Sequence, residues 1–428
     1  MSIVRNSAWN LIGIAASTLF TVPSLAIYSR TLGVELLGLL TLAFSIVGYA
    51  SSFDLGLSRA LIRQVSIHSE DRGMIKTYMG TTALFVGAIS LVLTAVVWLG
   101  AQWLTDYLKV SPVHRQDAIA SFHWLSLSVP PYLLSLVGTA YFEGKEDFKT
   151  LNLIRTATGA LNAIAGVACV YWIPALWAVI AALCFSRWVM CIAVLVQYRT
   201  DVNRHDSLRR PALWTFDAVA LRTSLSYGGW LTVTNVIGPI MGYFDRFVLS
   251  HLAGASVVAY YTMPAEIINR LLLLPGAVSR ALFPRLSKRR HTAGSDRRIG
   301  ALLTVAFTAV IGLPVFVFAS PLLRIWMGPS YAQEPATVLR VLLVGFFFMS
   351  LAFGPFTDLQ ARGYSRTTAY IHAAQLFPYL GALILLTYFY GIIGTALAWT
   401  ARGIVDYVVM ETYSRRLAGA EPAVNANV

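Results

Sequence analysis

The sequence predicts an all-α integral membrane protein of about twelve transmembrane helices in two six-helix lobes, with both termini cytoplasmic. Three observations carry this expectation. Hydrophobic residues fill 57% of the 428 positions and charged residues only 12%, about half the roughly 25% charged share of an ordinary soluble domain. Mostly apolar stretches of about 20 residues, long enough to cross the hydrocarbon core as helices, recur along the whole chain. They do not alternate as barrel strands do, so their backbone groups must be satisfied within helices. Finally, Ser58-Arg59-Ala60-Leu61 returns as Ser279-Arg280-Ala281-Leu282, and the same 221-residue shift lays Trp9 on Trp230, Ile46 on Ile267 and Ser66 on Ser287. One unit written twice is the pattern of a transporter built from repeats.

The predicted spans run near 6–30, 35–58, 78–104, 121–142, 151–172 and 173–197 in a first lobe (1–198), and near 224–250, 257–283, 299–320, 337–359, 368–390 and 391–414 in a second (223–416). Between them, 199–222 (RTDVNRHDSLRRPALWTFDAVALR) is a polar cytoplasmic linker, and 417–428 is a tail. Because each lobe has an even number of spans, the repeat is parallel, with its pseudo-twofold axis along the membrane normal. Prolines interrupt many spans and can kink them. Pro23 and Pro239 occupy corresponding spans one and seven and are the candidate hinges.

The net charge of +13 is explained by topology rather than by nucleic acid. With the amino terminus inside, the predicted inner loops and flanks hold 23 Lys and Arg residues and the outer ones 4, an asymmetry that sets the orientation. The first apolar stretch runs directly into further spans, so it reads as part of the protein rather than a cleaved leader. Cys169, Cys184 and Cys191 fall in spans five and six with no metal-ligand spacing and read as buried thiols. No phosphate-binding loop, dinucleotide fingerprint, zinc pair or nucleophile constellation occurs, so no catalytic residue, metal or cofactor is expected. The outer loops, at most about sixteen residues, leave no external domain for a membrane glycosyltransferase or polymerase.

Six arginines remain inside the spans: Arg187, Arg246, Arg270, Arg280, Arg340 and Arg402. An arginine at the bilayer centre costs about 3 kcal/mol on an insertion scale, so each needs a partner or a wet surface. Arg340 can snorkel from a span end. Glu266 and Arg270, like Arg402 and Asp406, lie four apart and can pair on one helix. For Arg187 a partner on another helix and a wet surface are both open. Arg246 follows Asp245, and sequence neighbours point apart on a helix, so Arg246 reads as available to a ligand. Arg280 lies about one turn inside the inner end of span eight and matches Arg59. Arg246, Arg270 and Arg280 thus read as a ladder at outer, middle and inner depths, suited to an anion such as phosphate. The first half adds Arg30 at the outer end of span one and Asp54 and Arg59 at the inner end of span two. The alternative is a set of unrelated structural arginines.

Residues 30–66, RTLGVELLGLLTLAFSIVGYASSFDLGLSRALIRQVS, and 244–287, FDRFVLSHLAGASVVAYYTMPAEIINRLLLLPGAVSRALFPRLS, resemble the corresponding helices of Wzx-type polysaccharide and O-antigen flippases, of the multidrug/oligosaccharidyl-lipid/polysaccharide exporter superfamily. The resemblance implies two lobes around a central cavity lined by spans one, two, seven and eight, in the bacterial inner membrane. It implies a substrate, a polyprenyl-pyrophosphate-linked oligosaccharide, turned from inner to outer leaflet by alternating access for O-antigen, capsule or exopolysaccharide. Arg246, Arg270, Arg280, Arg59 and Arg30 would then meet the pyrophosphate, with Asp54, Asp245 and Glu266 as their charge partners. A coupling ion, proton or sodium, is common in the superfamily, but no residue identifies it; membrane lipids and other polysaccharide-assembly proteins would be partners. Two rivals remain: a multidrug cation antiporter of the same superfamily, disfavoured because span one contains no acid, and a non-transport component of polysaccharide assembly, which needs no arginines at mid-membrane depth.

Overall fold

The computed structural model describes residues 2–204, 215–288 and 293–420, and among these every regular element is helical. The chain divides into two compact units, 1–243 and 244–428.

The first unit opens with α1 (Ser2–Ala50), which carries spans one and two in one bent rod. The bend is at Gly33, whose φ of 80° and ψ of 179° fall in a region essentially reserved for glycine. The predicted second span ends earlier than expected. Residues 51–54 tighten into a 3-10 turn, Leu55 and Gly56 are left-handed, and the Gly56 N–H donates to Asp54 Oδ1 at 2.8 Å. This Asx-type bond gives the backbone an alternative to the helical ladder, and α2 (Leu57–Ile67) starts afresh. Next come α3 (Arg72–Leu99), α4 (Ala101–Tyr107), α5 (Arg115–Leu127), α6 (Val129–Gly144), α7 (Phe148–Trp172) and α8 (Leu176–Arg204). The predicted fourth span is therefore two helices, broken at Ser128 ahead of Pro130 and Pro131. Leu37, Leu40, Phe122, Leu133 and Phe142 are wholly or almost wholly buried. Trp103 and Trp172 are exposed, as aromatic side chains at a membrane interface are.

The helix α9 (Ala218–Ala253) carries span seven, and the division between the units falls within it. The second unit continues with α10 (Val258–Lys288), α11 (Ala293–Val317), α12 (Ala319–Met327), α13 (Glu334–Ala361) and α14 (Ser365–Ala420). The last helix joins predicted spans eleven and twelve and bends at Gly391 (φ 56°, ψ −133°), again a conformation only glycine adopts without strain. It packs against α13 through small residues. A Cβ on Gly345 would sit 2.7 Å from Trp399 Cζ3 and 2.8 Å from Thr400 Oγ1, while Thr400 Oγ1 donates to the Val341 carbonyl at 2.9 Å. This is how helices approach closely where lipid supplies no hydrophobic drive between them.

Nine helices among the described residues are long and apolar enough to cross a membrane. Counting the two bent rods as two segments each, and adding α9, accounts for the twelve predicted spans.

Candidate functional site

The second unit gathers the charges that the sequence singles out. A turn at residues 254–257 makes a hairpin of α9 and α10. Residues equidistant from residue 256 face each other at one depth, so Arg246 meets Glu266: Nη2 lies 3.2 Å from Oε1, and the Arg246 side chain is 4% exposed. Glu266 also faces Arg270 one turn along α10, with Nη2 3.9 Å from the other carboxylate oxygen. The expected ladder is thereby corrected. Arg246 and Arg270 converge on one carboxylate, about one turn apart rather than spread across the bilayer, and Arg246 is not left to a ligand, because its partner lies twenty residues away across the turn.

Asp245 is buried too. Its carboxylate accepts from the Tyr261 hydroxyl and, at 2.8 Å, from the Arg246 backbone N–H, and it is close enough to Arg402 on α14 for their charges to interact. The Arg402 guanidinium sits 5.3 Å from the centre of the Tyr379 ring, a cation–π contact between the two arms of α14. Asp406, one turn beyond Arg402, faces His372 Nε2 at 3.4 Å, and His372 stacks on Phe356. A polar seam thus runs through α9, α10 and α14, and His372 with Asp406 is a second contact between the two arms of the last.

The seam distinguishes its arginines by access. Arg246 is enclosed, whereas the Arg270 side chain is 34% exposed and that of Glu266 24%. Arg246 thus lies between two carboxylates, Asp245 and Glu266, and Arg270 is the more exposed of the two guanidiniums on Glu266. In a low-dielectric setting an exposed guanidinium acts strongly on an incoming anion, and arginine's planar fork matches phosphate oxygens in pairs.

Arg30 is exposed at the outer end of the first arm of α1, and Arg59 is exposed on α2. Asp54 is buried and engaged in ending span two. Pro23 lies within the first arm of α1. Pro239 and Arg280 lie on α9 and α10, but their side chains are outside the described residues. Of the other span arginines, Arg187 finds its partner on a neighbouring helix: it donates to Ser128 Oγ at 2.6 Å and sits 5.3 Å from the Tyr132 ring centre, bracing the break between α5 and α6. Arg340 Nε reaches the Phe316 carbonyl at 3.2 Å. Asp358 and Arg362 pair as their spacing predicts, at 2.9 Å.

Comparison with known proteins agrees with this architecture. The chain is 35% identical over 423 residues to a Shigella flexneri protein named "Putative O-antigen transporter", covering 97% of this chain and 99% of that one. Among solved structures it is similar to the lipid II flippase MurJ in an inward closed conformation (TM-score 0.79, 14% identity, 96% of this chain and 87% of the other). It is also similar to an inward-facing MATE-family multidrug resistance transporter of the MOP superfamily (TM-score 0.77, 15% identity, 94% and 95%). At these identities the two structures speak for the fold. The family described as polysaccharide biosynthesis protein matches residues 3–290. On that match and the near full-length relative, this multi-pass membrane protein belongs to the polysaccharide biosynthesis protein family.

Proposed function

We propose that the protein is a flippase that carries polyprenyl-pyrophosphate-linked oligosaccharide from the inner to the outer leaflet of the bacterial inner membrane by alternating access, supplying O-antigen, capsule or exopolysaccharide assembly. Its role is transport rather than catalysis. The observation that carries the substrate class is the pair of guanidiniums on one carboxylate: Arg246 and Arg270 share Glu266 within membrane-spanning helices, and Arg270 is accessible. A pyrophosphate would be met by the exposed Arg270 guanidinium, whose planar fork matches its oxygens in pairs. Arg270 contacts the pyrophosphate; Arg246 holds Glu266 and through it the orientation of Arg270. Arg280, Arg59 and Arg30 are further cations for the anion to meet during the cycle, and Pro23 and Pro239 allow bending.

The test is Arg270→Ala in cells that depend on this protein for surface polysaccharide. Surface polysaccharide should fall while protein level is unchanged, and lipid-linked oligosaccharide should accumulate on the inner face. Normal surface polysaccharide at normal expression would remove this reading of the site.

A further inference from the structure

Between the two arms of α14, residues 365–390 and 391–420, lies a cavity of about 700 Å³. Its size falls within the roughly 300–1,000 Å³ typical of small-molecule sites. Along the first arm its wall runs from Thr367 to Ala382 and along the second from Ala398 to Tyr413, so each wall is about 22 Å long at 1.5 Å per residue. The walls are mostly apolar, with Ile371, Pro378, Val405 and Val409 among them. At one end are Tyr370 and Tyr413, both exposed, near the end of the hairpin that the charge asymmetry places inside. Tyrosines of this kind mark the level of the lipid headgroups.

Midway along the wall stands Gln375. Both amide atoms, Oε1 and Nε2, are buried and make no hydrogen bond. An amide left this way is costly, and it gains both bonds by turning into the lumen it already lines, provided that the occupant supplies a donor and an acceptor together. A bare hydrocarbon chain supplies neither. A fully ionised phosphate offers no donor to Oε1, and a quaternary ammonium no acceptor to Nε2. A hydroxyl is both donor and acceptor. Arg402, the one cation in the wall, does not tilt this choice toward an anion, because it is already engaged with the Tyr379 ring and acts on Asp245.

We propose that this cavity binds a single-chain amphiphile with a hydroxylated head, an alkyl glycoside being the simplest example. The hydroxyls meet the Gln375 amide, and the chain lies along the apolar walls toward Ala382 and Ala398, away from the headgroup level that Tyr370 and Tyr413 mark. The proposal deepens the transport reading, since a glycan-bearing lipid is such an amphiphile, but it rests on Gln375 and the cavity rather than on Arg270.

The test uses the full-length protein in lipid nanodiscs and a dodecyl maltoside carrying a photoreactive diazirine on its chain, with labelled peptides mapped by mass spectrometry. Label is expected on 367–382 and 398–413 and should be displaced by unlabelled dodecyl maltoside at concentrations about tenfold below those needed for dodecyl phosphate or dodecyltrimethylammonium, about what one hydrogen bond confers. Gln375→Leu should weaken labelling by a similar factor. Ala401→Phe, which fills the cavity without touching the amide, should abolish it, and Arg270→Ala should leave it unchanged. Label elsewhere, equal displacement by the charged amphiphiles, equal labelling by a diazirine phosphatidylcholine, or undiminished labelling of Ala401→Phe overturns the proposal. Labelling that persists while Arg270→Ala abolishes transport supports the site, and transport that persists without any labelling of the wild type overturns it while sparing the transport reading.

Discussion

Arg246 on α9 and Glu266 on α10 form an ion pair at 3.2 Å, with the arginine side chain 4% exposed. Their sequence positions mirror each other about the turn, so the pair fixes the register of the hairpin as well as neutralising a charge. Removing one member of a buried pair strands the other, at a cost of about 3–5 kcal/mol. Glu266→Gln should therefore lower the unfolding temperature of the purified protein markedly. An unchanged unfolding temperature would show that the pair does not hold the hairpin.

Arg270 shares the same carboxylate at 3.9 Å but is about one-third exposed. A pair so placed contributes at most about 1 kcal/mol. Arg270→Ala should accordingly match the wild type in membrane level and unfolding temperature while losing transport. Arg246→Ala should lose both. Equal stability losses in the two variants, compared by thermal unfolding in detergent, would contradict the division of roles.

At Gly391, φ is 56° and ψ −133°, and at Gly33 φ is 80° and ψ 179°. Neither glycine has a neighbour that a methyl group would strike, so any effect of alanine comes from the backbone alone. Gly391→Ala and Gly33→Ala should each destabilise the protein by about 1–3 kcal/mol, whereas alanine at Gly381, which is helical with similarly open space, should be neutral or slightly stabilising. Thermal unfolding of the three variants checks the contrast.

The seam between α13 and α14 depends on Gly345, where a Cβ would meet Trp399 and Thr400 within 2.8 Å. Gly345→Val should separate the helices and cost about 1–3 kcal/mol through overpacking. Protease sensitivity between α13 and α14 should rise as well. Unchanged sensitivity would mean that the helices can part without penalty.

The fold class was legible because hydropathy depends on composition over windows, which bilayer thickness dictates. The joins near Gly33 and Gly391 fell where the sequence places the ends of spans. The earlier end of span two was not legible, because it follows from a single bond between Asp54 and the Gly56 N–H, and hydropathy is blind to it. The partner of Arg246 was missed for a different reason: same-helix spacing reveals pairs such as Asp358 and Arg362, but a pair across a hairpin appears only when the centre of the turn is known. Placing that centre at Gly254 to Val257 and pairing equidistant residues would have found Glu266. Gln375 left no trace in the sequence, since an unpaired amide is a fact of packing alone.

In the proposed function an anionic glycolipid crosses the bilayer by way of Arg270. The most direct measurement reconstitutes purified protein into vesicles with polyprenyl-pyrophosphate-linked oligosaccharide and follows the rate at which inner-leaflet glycan becomes accessible to an added glycosidase. Wild-type vesicles should expose the inner pool well above the protein-free rate, and Arg270→Ala vesicles should stay near that rate. Exposure by the variant at the wild-type rate, or by the wild type at the protein-free rate, would contradict the account.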